Sequence, residues 1–217
     1  MNARKLFSVL LVLCLMLQCI PLAAAAEPQA DLTEEPITIT YPVAIDETNF
    51  PDENFRNYVA SHFDKDKDGR LSKAEAEAVT DINLNSSGIG DLTGIIYFQK
   101  LYWLRCNDNQ LTSIDVSNNK ELYLLHCKNN KLTAIDVSSN TDLQILVCDN
   151  NQIDALNVTK NTALVSLCVA DNQLSTLDVS KNARLVALYV SGNKLTNLDV
   201  SNNTRLNDLS CEKKSAN

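Results

Sequence analysis

The sequence predicts an α/β solenoid, short parallel strands stacked coil upon coil and closed at the N-terminal end by a small helical cap. Three observations predict it. From Leu101 the chain divides every 21 residues without a gap, with copies beginning at Leu101, Leu122, Leu143, Leu164 and Leu185 and a shortened sixth at Leu206. Each copy stays close to the pattern LxxLxCxxNxLxxLDVSxNxx, and so regular a period is the signature of a repeat architecture. Ahead of the copies, Phe55, Tyr58, Val59, His62 and Phe63 recur at helical spacing behind Asp52, a capping residue, which predicts one amphipathic helix.

Within a copy each repeated position has a physical task. Leu101, Leu104 and Cys106, with their equivalents, alternate like a short strand whose apolar side faces inward. The ninth position is Asn109, Asn130, Asn151, Asn172 and Asn193, suited to an inner bend because its amide can satisfy backbone groups of its own and a neighbouring coil. The eleventh and fourteenth positions, Leu111 and Ile114 in the first copy, return apolar groups to the interior, and the Asp115–Ser117 triplet flanks one apolar Val with polar residues for a tight return. One coil cannot bury its own apolar face, so stability must come from stacking. Residues 79–100 read as a divergent first coil, in which Val79, Ile82 and Leu84 copy the strand and Ile89 and Leu92 the return. The solenoid is assigned to residues 79–212, with five full copies over 101–205 and the incomplete sixth over 206–217.

Cys106, Cys127, Cys148 and Cys211 share the inward sixth position, where Val169 and Val190 stand in the other two copies. Replacement by Val indicates a site for a small apolar group, so stacked buried thiols are expected, with disulfides or a metal as the alternatives. Cys168 lies one position earlier and is expected to face outward, as the cysteine that labels readily.

Residues 64–75 read Asp-Lys-Asp-Lys-Asp-Gly-Arg-Leu-Ser-Lys-Ala-Glu, which fills every position of an EF-hand calcium loop. Asp64, Asp66 and Asp68 offer carboxylates at alternate positions, Gly69 permits the sharp turn, and Arg70 offers its carbonyl. Ser72 serves directly or through water, and Glu75 closes the shell with two oxygens. Hard oxygen donors at this spacing suit calcium. A shorter helix is expected around residues 72–79, and the cap is assigned to residues 47–78. His62 is expected to pack in the cap core rather than to serve as a ligand.

The ends and the charge bound the setting. Arg4 and Lys5, the apolar run from Leu6 to Ile20 and the small residues Ala24–Ala26 read as a secretory signal over residues 1–26, cleaved before Glu27. Gln18 argues against lipidation of Cys19. Residues 27–46 are an acidic, extended leader containing Pro28, Pro36 and Pro42, in which the alternation from Ile37 to Val43 predicts one strand against the cap. Of 19 basic and 27 acidic residues, Arg4 and Lys5 leave with the signal, so the remainder carries 17 against 27, a net charge of −10. An acidic chain with no basic stripe repels nucleic acid, and no second apolar stretch is long enough for a membrane span.

The repeat resembles the leucine-rich repeat over roughly residues 79–212. Within that family its short period and recurring cysteine look most like the internalins of Gram-positive bacteria, especially those with a cysteine ladder. The resemblance implies a right-handed leucine-rich-repeat superhelix with a concave parallel β-sheet, capped by a small helical EF-hand-like domain. In that family the cap loop is typically degenerate, whereas here every ligand position is filled.

Concave side chains come from the third and fifth positions. They are Trp103 and Arg105, Leu124 and His126, Ile145 and Val147, Ser166 and Cys168, then Ala187 and Tyr189, with Tyr102 and Tyr123 beside the first two pairs. The sum is a largely apolar, partly aromatic patch, the kind of surface that marks a binding site. An enzyme is hard to build here: only two histidines are present, and no serine or cysteine sits in a nucleophile motif. The expectation is a monomeric, secreted or cell-surface recognition or adhesion module. It binds a protein, or less readily a glycan, through the concave face, and calcium stabilises its cap. The alternative is a structural spacer or fragment of a larger surface protein.

Overall fold

The computed structural model describes residues 38–211. The chain divides into two units, Met1–Pro36 and Ile37–Asn217, and the second holds all the described residues. The predicted signal, most of the leader and the last six residues of the sixth copy lie outside them.

The cap opens with strand β1 (Val43–Ala44), helix α1 (Glu53–His62), strand β2 (Arg70–Leu71) and helix α2 (Lys73–Glu77). The Asp52 side chain accepts from the Phe55 N–H at the start of α1. Ser72 and Glu75 form a reciprocal capping box at the start of α2, which satisfies two otherwise orphaned donors of a helix too short to hold itself. Phe55 and Val59 on α1 are buried, Tyr58 and Phe63 partly so. His62 is exposed and stacks on the Tyr58 ring at 4.1 Å. The expectation that it packs in the core is corrected: as the last helical residue it reaches past the apolar stripe.

Strands β3 (Asp81–Asn83), β4 (Trp103–Arg105), β5 (Leu124–His126), β6 (Ile145–Val147), β7 (Ser166–Cys168), β8 (Ala187–Tyr189) and β9 (Asp208–Ser210) form one parallel sheet in chain order. Between β3 and β4 a short 3-10 helix spans Ile95–Tyr97. From β4 onward each residue faces its equivalent in the next copy, Trp103 opposite Leu124, Leu124 opposite Ile145, Ile145 opposite Ser166. The divergent coil is one residue longer, pairing Asp81 with Trp103.

The repeated leucines explain the stack. Leu101, Leu104, Leu111 and Val116, with their equivalents through Val179, are fully buried, each worth about 1.5–3 kcal/mol relative to exposure. Cys106, Cys127 and Cys148 are buried free thiols on the same column. Burial raises all three pKa values, Cys106 to about 12, so they pack as small neutral apolar groups. Cys211 keeps the inward register but is exposed, and so is Leu209; the expectation of a buried Cys211 is corrected, because no later strand covers that coil among the described residues. The residue before the bend Asn is Asp108, Asn129, Asn150, Asp171 or Gly192, all at positive φ, a conformation these types tolerate best.

Two columns of asparagine stitch the coils. In the first, Asn151 Nδ2 donates to the carbonyls of Cys127 and Cys148 at 3.1 and 3.0 Å, while its Oδ1 accepts from the Leu132 N–H at 3.0 Å. Asn130 and Asn172 repeat this one coil before and after. The second column, Asn119, Asn140, Asn161, Asn182 and Asn203, is buried more deeply still. Asn161 Nδ2 donates to the carbonyls of Val137 and Asn140, both at 2.8 Å.

Candidate functional site

Strand alternation places the third and fifth positions on the open side of the sheet. Leu104, Leu125, Leu146, Leu167 and Leu188 between them turn inward and are fully buried. Trp103 and Tyr102 are among the most exposed large apolar side chains described, at 38% and 39%. Tyr102 stacks on Tyr123 with ring centroids 4.8 Å apart and 15° between planes, and meets Trp103 edge-on at 5.3 Å. The 21-residue coil produces that stack by setting equal positions side by side, and ring pairs in such geometry gain about 0.5–1.5 kcal/mol beyond area burial.

Arg105 lies 5.8 Å from the Trp103 ring centre and pairs with Asp81 at 2.7 Å, so its charge is balanced. His126 is held below the ordinary imidazole pKa, first by desolvation and then by the Arg105 charge beside it, which keeps the ring neutral at pH 7. Leu124 is nearly buried at 9%, while Ile145, Val147, Ser166, Cys168 and Ala187 are half-buried. Tyr189 hydrogen-bonds Asp208, and that bond, together with desolvation, raises its phenol pKa. The residues expected on this face thus form one continuous strip. Its aromatic end is at β4 and β5 and its aliphatic middle at β6. Asp81 and Asp208 occupy the same third position in the divergent coil and in the sixth copy and belong to this face as well, with Asp81 set opposite Trp103 and paired with Arg105.

The second constellation is the loop before α2. Carboxylate oxygens of Asp64, Asp66 and Asp68 lie within 4.8 Å of one another. Asp64, itself buried, accepts from the N–H groups of Asp68 and Gly69 at 3.2 and 3.0 Å. Asp68 accepts from the Arg70 N–H at 2.8 Å. Gly69 sits at φ +77°, the turn the loop requires of it. Glu75 reaches back across the loop: one oxygen accepts from the Lys65 N–H at 2.6 Å and the other from Ser72 N–H and O–H at 2.9 and 2.8 Å. Desolvation opposes ionisation of Glu75, but the Ser72 and Lys65 donors override it and hold its pKa low. Asp66 goes the other way: the Asp68 N–H lowers its pKa, but desolvation and the neighbouring Asp68 and Glu75 charges raise it. The three aspartates therefore converge as mutually repelling oxygen donors, with Glu75 on the rim through Lys65. That set fits a hard cation and offers neither imidazole nor thiolate.

A parallel solenoid built on these leucine and asparagine columns, with an open apolar sheet face, defines a leucine-rich-repeat protein. Its similarities are to the internalins of Listeria monocytogenes. Over 70 residues it is 38% identical to Internalin J of serotype 4b and 39% identical to that of serovar 1/2a, stretches that cover 32% of this chain and 8% of each relative. Among solved structures, the functional domain of InlJ from Listeria monocytogenes, which includes a cysteine ladder, superposes with a TM-score of 0.65 at 32% identity, covering 81% of this chain and 44% of that one. The internalin InlF from the same species gives 0.67 at 26% identity, with coverages of 76% and 51%. A leucine-rich-repeat protein of Leptospira interrogans shares the fold at 24% identity and a TM-score of 0.52. No family model matches the chain. The chain is internalin-like in its repeats, and it spans 44% of the InlJ domain it superposes on and a far smaller share of the Internalin J relatives it matches. No helix among the described residues is long and apolar enough to cross a membrane.

Proposed function

We propose that this chain is a monomeric recognition module, exported to the cell surface or the medium, that binds a protein partner through the sheet face and performs no catalysis. The observation that carries this reading is the aromatic cluster of exposed Tyr102 and Trp103 with half-buried Tyr123 at one end of an apolar strip. Aromatic residues and arginine dominate the energetics of protein interfaces, and Arg105 stands beside Trp103. The aliphatic strands next to the cluster favour a protein over a glycan. Aromatic rings alone serve a sugar well, but Leu124, Ile145 and Val147 would cover its hydroxyls without replacing their water partners, at a desolvation cost.

Trp103 is the sole tryptophan, so its fluorescence reports on this face. Arrayed proteins and arrayed glycans are probed with the wild type and with a Trp103→Ala/Tyr123→Ala double variant. The reading expects binding to protein analytes, a Trp103 emission shift, and at least roughly tenfold weaker binding by the double variant, the loss of about one hot-spot residue. Binding to glycans alone, or binding unaffected by the double variant, refutes it.

The proposal includes calcium in the loop at residues 64–75. Asp64, Asp66, Asp68, the Arg70 carbonyl, Ser72 and Glu75 would hold it, and the bound ion would supply the counter-charge that the converging carboxylates lack. The oxygen-only donor set and the buried Asp64 support this. Affinity is expected around 10⁻⁴–10⁻³ M, as in other extracellular modules. At ten times the Kd, binding stabilises the folded chain by about 1.4 kcal/mol. Unfolding midpoints with calcium and with excess chelator check it: the wild type should shift and Glu75→Ala should not.

A further inference from the structure

We infer that the segment Tyr41–Asn49 is a built-in second half of the cation loop, so that calcium binding and the docking of this segment on the solenoid are one coupled event. The inference rests on the proposed calcium site. A strand within a cation loop offers one open backbone edge. Here β2, which supplies the seventh and eighth loop residues Arg70 and Leu71, pairs antiparallel with β1, Val43 opposite Leu71 and Ala44 opposite Arg70. Ile45 extends the ladder by donating its N–H to the Gly69 carbonyl at 3.0 Å. The edge that a second loop would otherwise occupy is therefore filled by the chain's own leader.

The register decides what this pairing does for the site. In an antiparallel ladder alternate residues turn their backbone groups toward and away from the partner. Gly69 faces β1, so Arg70 faces away from it, and the Arg70 N–H accordingly donates to Asp68 at 2.8 Å. Fixing Gly69 and Leu71 on β1 thus fixes the orientation of Arg70, whose carbonyl is the backbone donor the loop motif assigns to the cation. Val43, Ala44 and Ile45 are positioning residues in this arrangement and touch no cation themselves.

The same segment is held from its other side by the solenoid. Asn49 Nδ2 donates to the Ala44 carbonyl at 3.0 Å, and the Tyr97 hydroxyl donates to Asn49 Oδ1 at 2.8 Å. The Tyr41 hydroxyl donates to the Tyr97 carbonyl at 2.6 Å. Tyr97 closes the 3-10 turn of the divergent first coil, and its ring packs on Phe50 at 5.5 Å. A chain of contacts consequently runs from loop to β1, to Asn49 and to the first coil. Linkage requires that a cation favouring the ordered loop also favour the docked segment, and the reverse.

The experiment is a calorimetric calcium titration of the full chain in four forms, paired with amide exchange at Ile45 in the wild type. Ile45→Pro removes the N–H that reaches Gly69, Ile45→Val keeps it, and Asn49→Ala cuts the relay to Tyr97. Loss of one or two ladder bonds should weaken calcium binding roughly tenfold in Ile45→Pro. Asn49→Ala should weaken it several-fold, Ile45→Val should match the wild type, and calcium should slow exchange at Ile45. If the wild type takes up calcium and both Ile45→Pro and Asn49→Ala bind it with unchanged affinity, this inference falls while the calcium site stands. If the wild type takes up no calcium, both fall.

Discussion

Replacing Asn151 and Asn161 by alanine, one at a time, separates what the two asparagine columns contribute. Both residues belong to the coil that begins at Leu143, so any departure from two-state unfolding affects both equally. The two amide N–H groups of Asn151 are shared among the carbonyls of Cys127, Cys148 and Asp149, and each of these is also served by another donor: Asn130, Asn172 and the Asn129 N–H. Its Oδ1, by contrast, is the acceptor for the buried Leu132 N–H. Asn151→Ala therefore removes two amide N–H groups, worth about two bonds because all three carbonyls keep other donors, and orphans one backbone donor. At about 1 kcal/mol net per bond and about 1–3 kcal/mol for the stranded N–H, the cost is about 3–5 kcal/mol. Asn161 also gives two amide bonds, to Val137 and Asn140, whose carbonyls are served as well by the Asn140 and Leu143 N–H groups. Its Oδ1 accepts from no group among the described residues. Asn161→Ala thus orphans nothing and costs about 2 kcal/mol. Urea unfolding of both variants at one calcium concentration measures the difference, and amide exchange locates it: Leu132 should lose protection in the Asn151 variant alone. Equal destabilisation, or a larger loss in Asn161→Ala, would refute the assignment of the two columns.

In native protein at pH 8, a maleimide should modify Cys168 and Cys211, while Cys106, Cys127 and Cys148 stay unmodified until unfolding, as mapped by peptide mass. Gly192→Ala should destabilise by about 1–2 kcal/mol, the left-handed penalty for a Cβ, because Gly192 sits at φ +72° and an added Cβ would fall 2.4 Å from Asp171 Oδ1; an unchanged urea midpoint would contradict this. His126 has its pKa depressed in the folded state by burial and by Arg105, so the unfolded chain binds the proton more tightly. Its stabilising contribution is complete above the unfolded value near 6.5 and is lost as pH falls from there through the lower folded value. The drop in melting midpoint between pH 7.5 and 5.5 should accordingly shrink in His126→Gln.

The repeat period makes most of the solenoid legible, because a coil of fixed length dictates which residues face each other. Leu104, Leu125 and Leu146 have to point inward once Leu101, Leu122 and Leu143 are aligned, and the structure buries all six. The bend asparagines are readable for the same reason. What stays hidden depends on relations between coils that one coil's pattern does not contain. Asn119 and its equivalents stand among Asp, Ser and Lys and look like part of a solvated return. They are buried because their amides reach 21 and 24 residues back to carbonyls of the previous coil. The inward register of Cys211 is readable too, but burial needs a neighbour on both sides. Strand β1 is two residues long, too short for alternation to reveal its partner.

This division bears on where recognition can reside. Leucine, valine, the thiols and the two asparagine columns are fixed by burial and by hydrogen bonds to adjacent coils, and the eighth position by its backbone conformation. The third and fifth positions, the buried Leu124 apart, carry none of these constraints. They change from coil to coil through Trp103, Leu124, Ile145, Ser166, Ala187 and Asp208, and through Arg105, His126, Val147, Cys168, Tyr189 and Ser210. A solenoid under no demand but solubility would fill such free positions with charged or polar residues. From β4 to β6 they are instead aromatic and aliphatic, the one cation there is matched by Asp81, and the one imidazole is held neutral. That choice, made where the fold asks for nothing, is the strongest physical reason to treat the strip from Tyr102 to Val147 as a surface built to be covered.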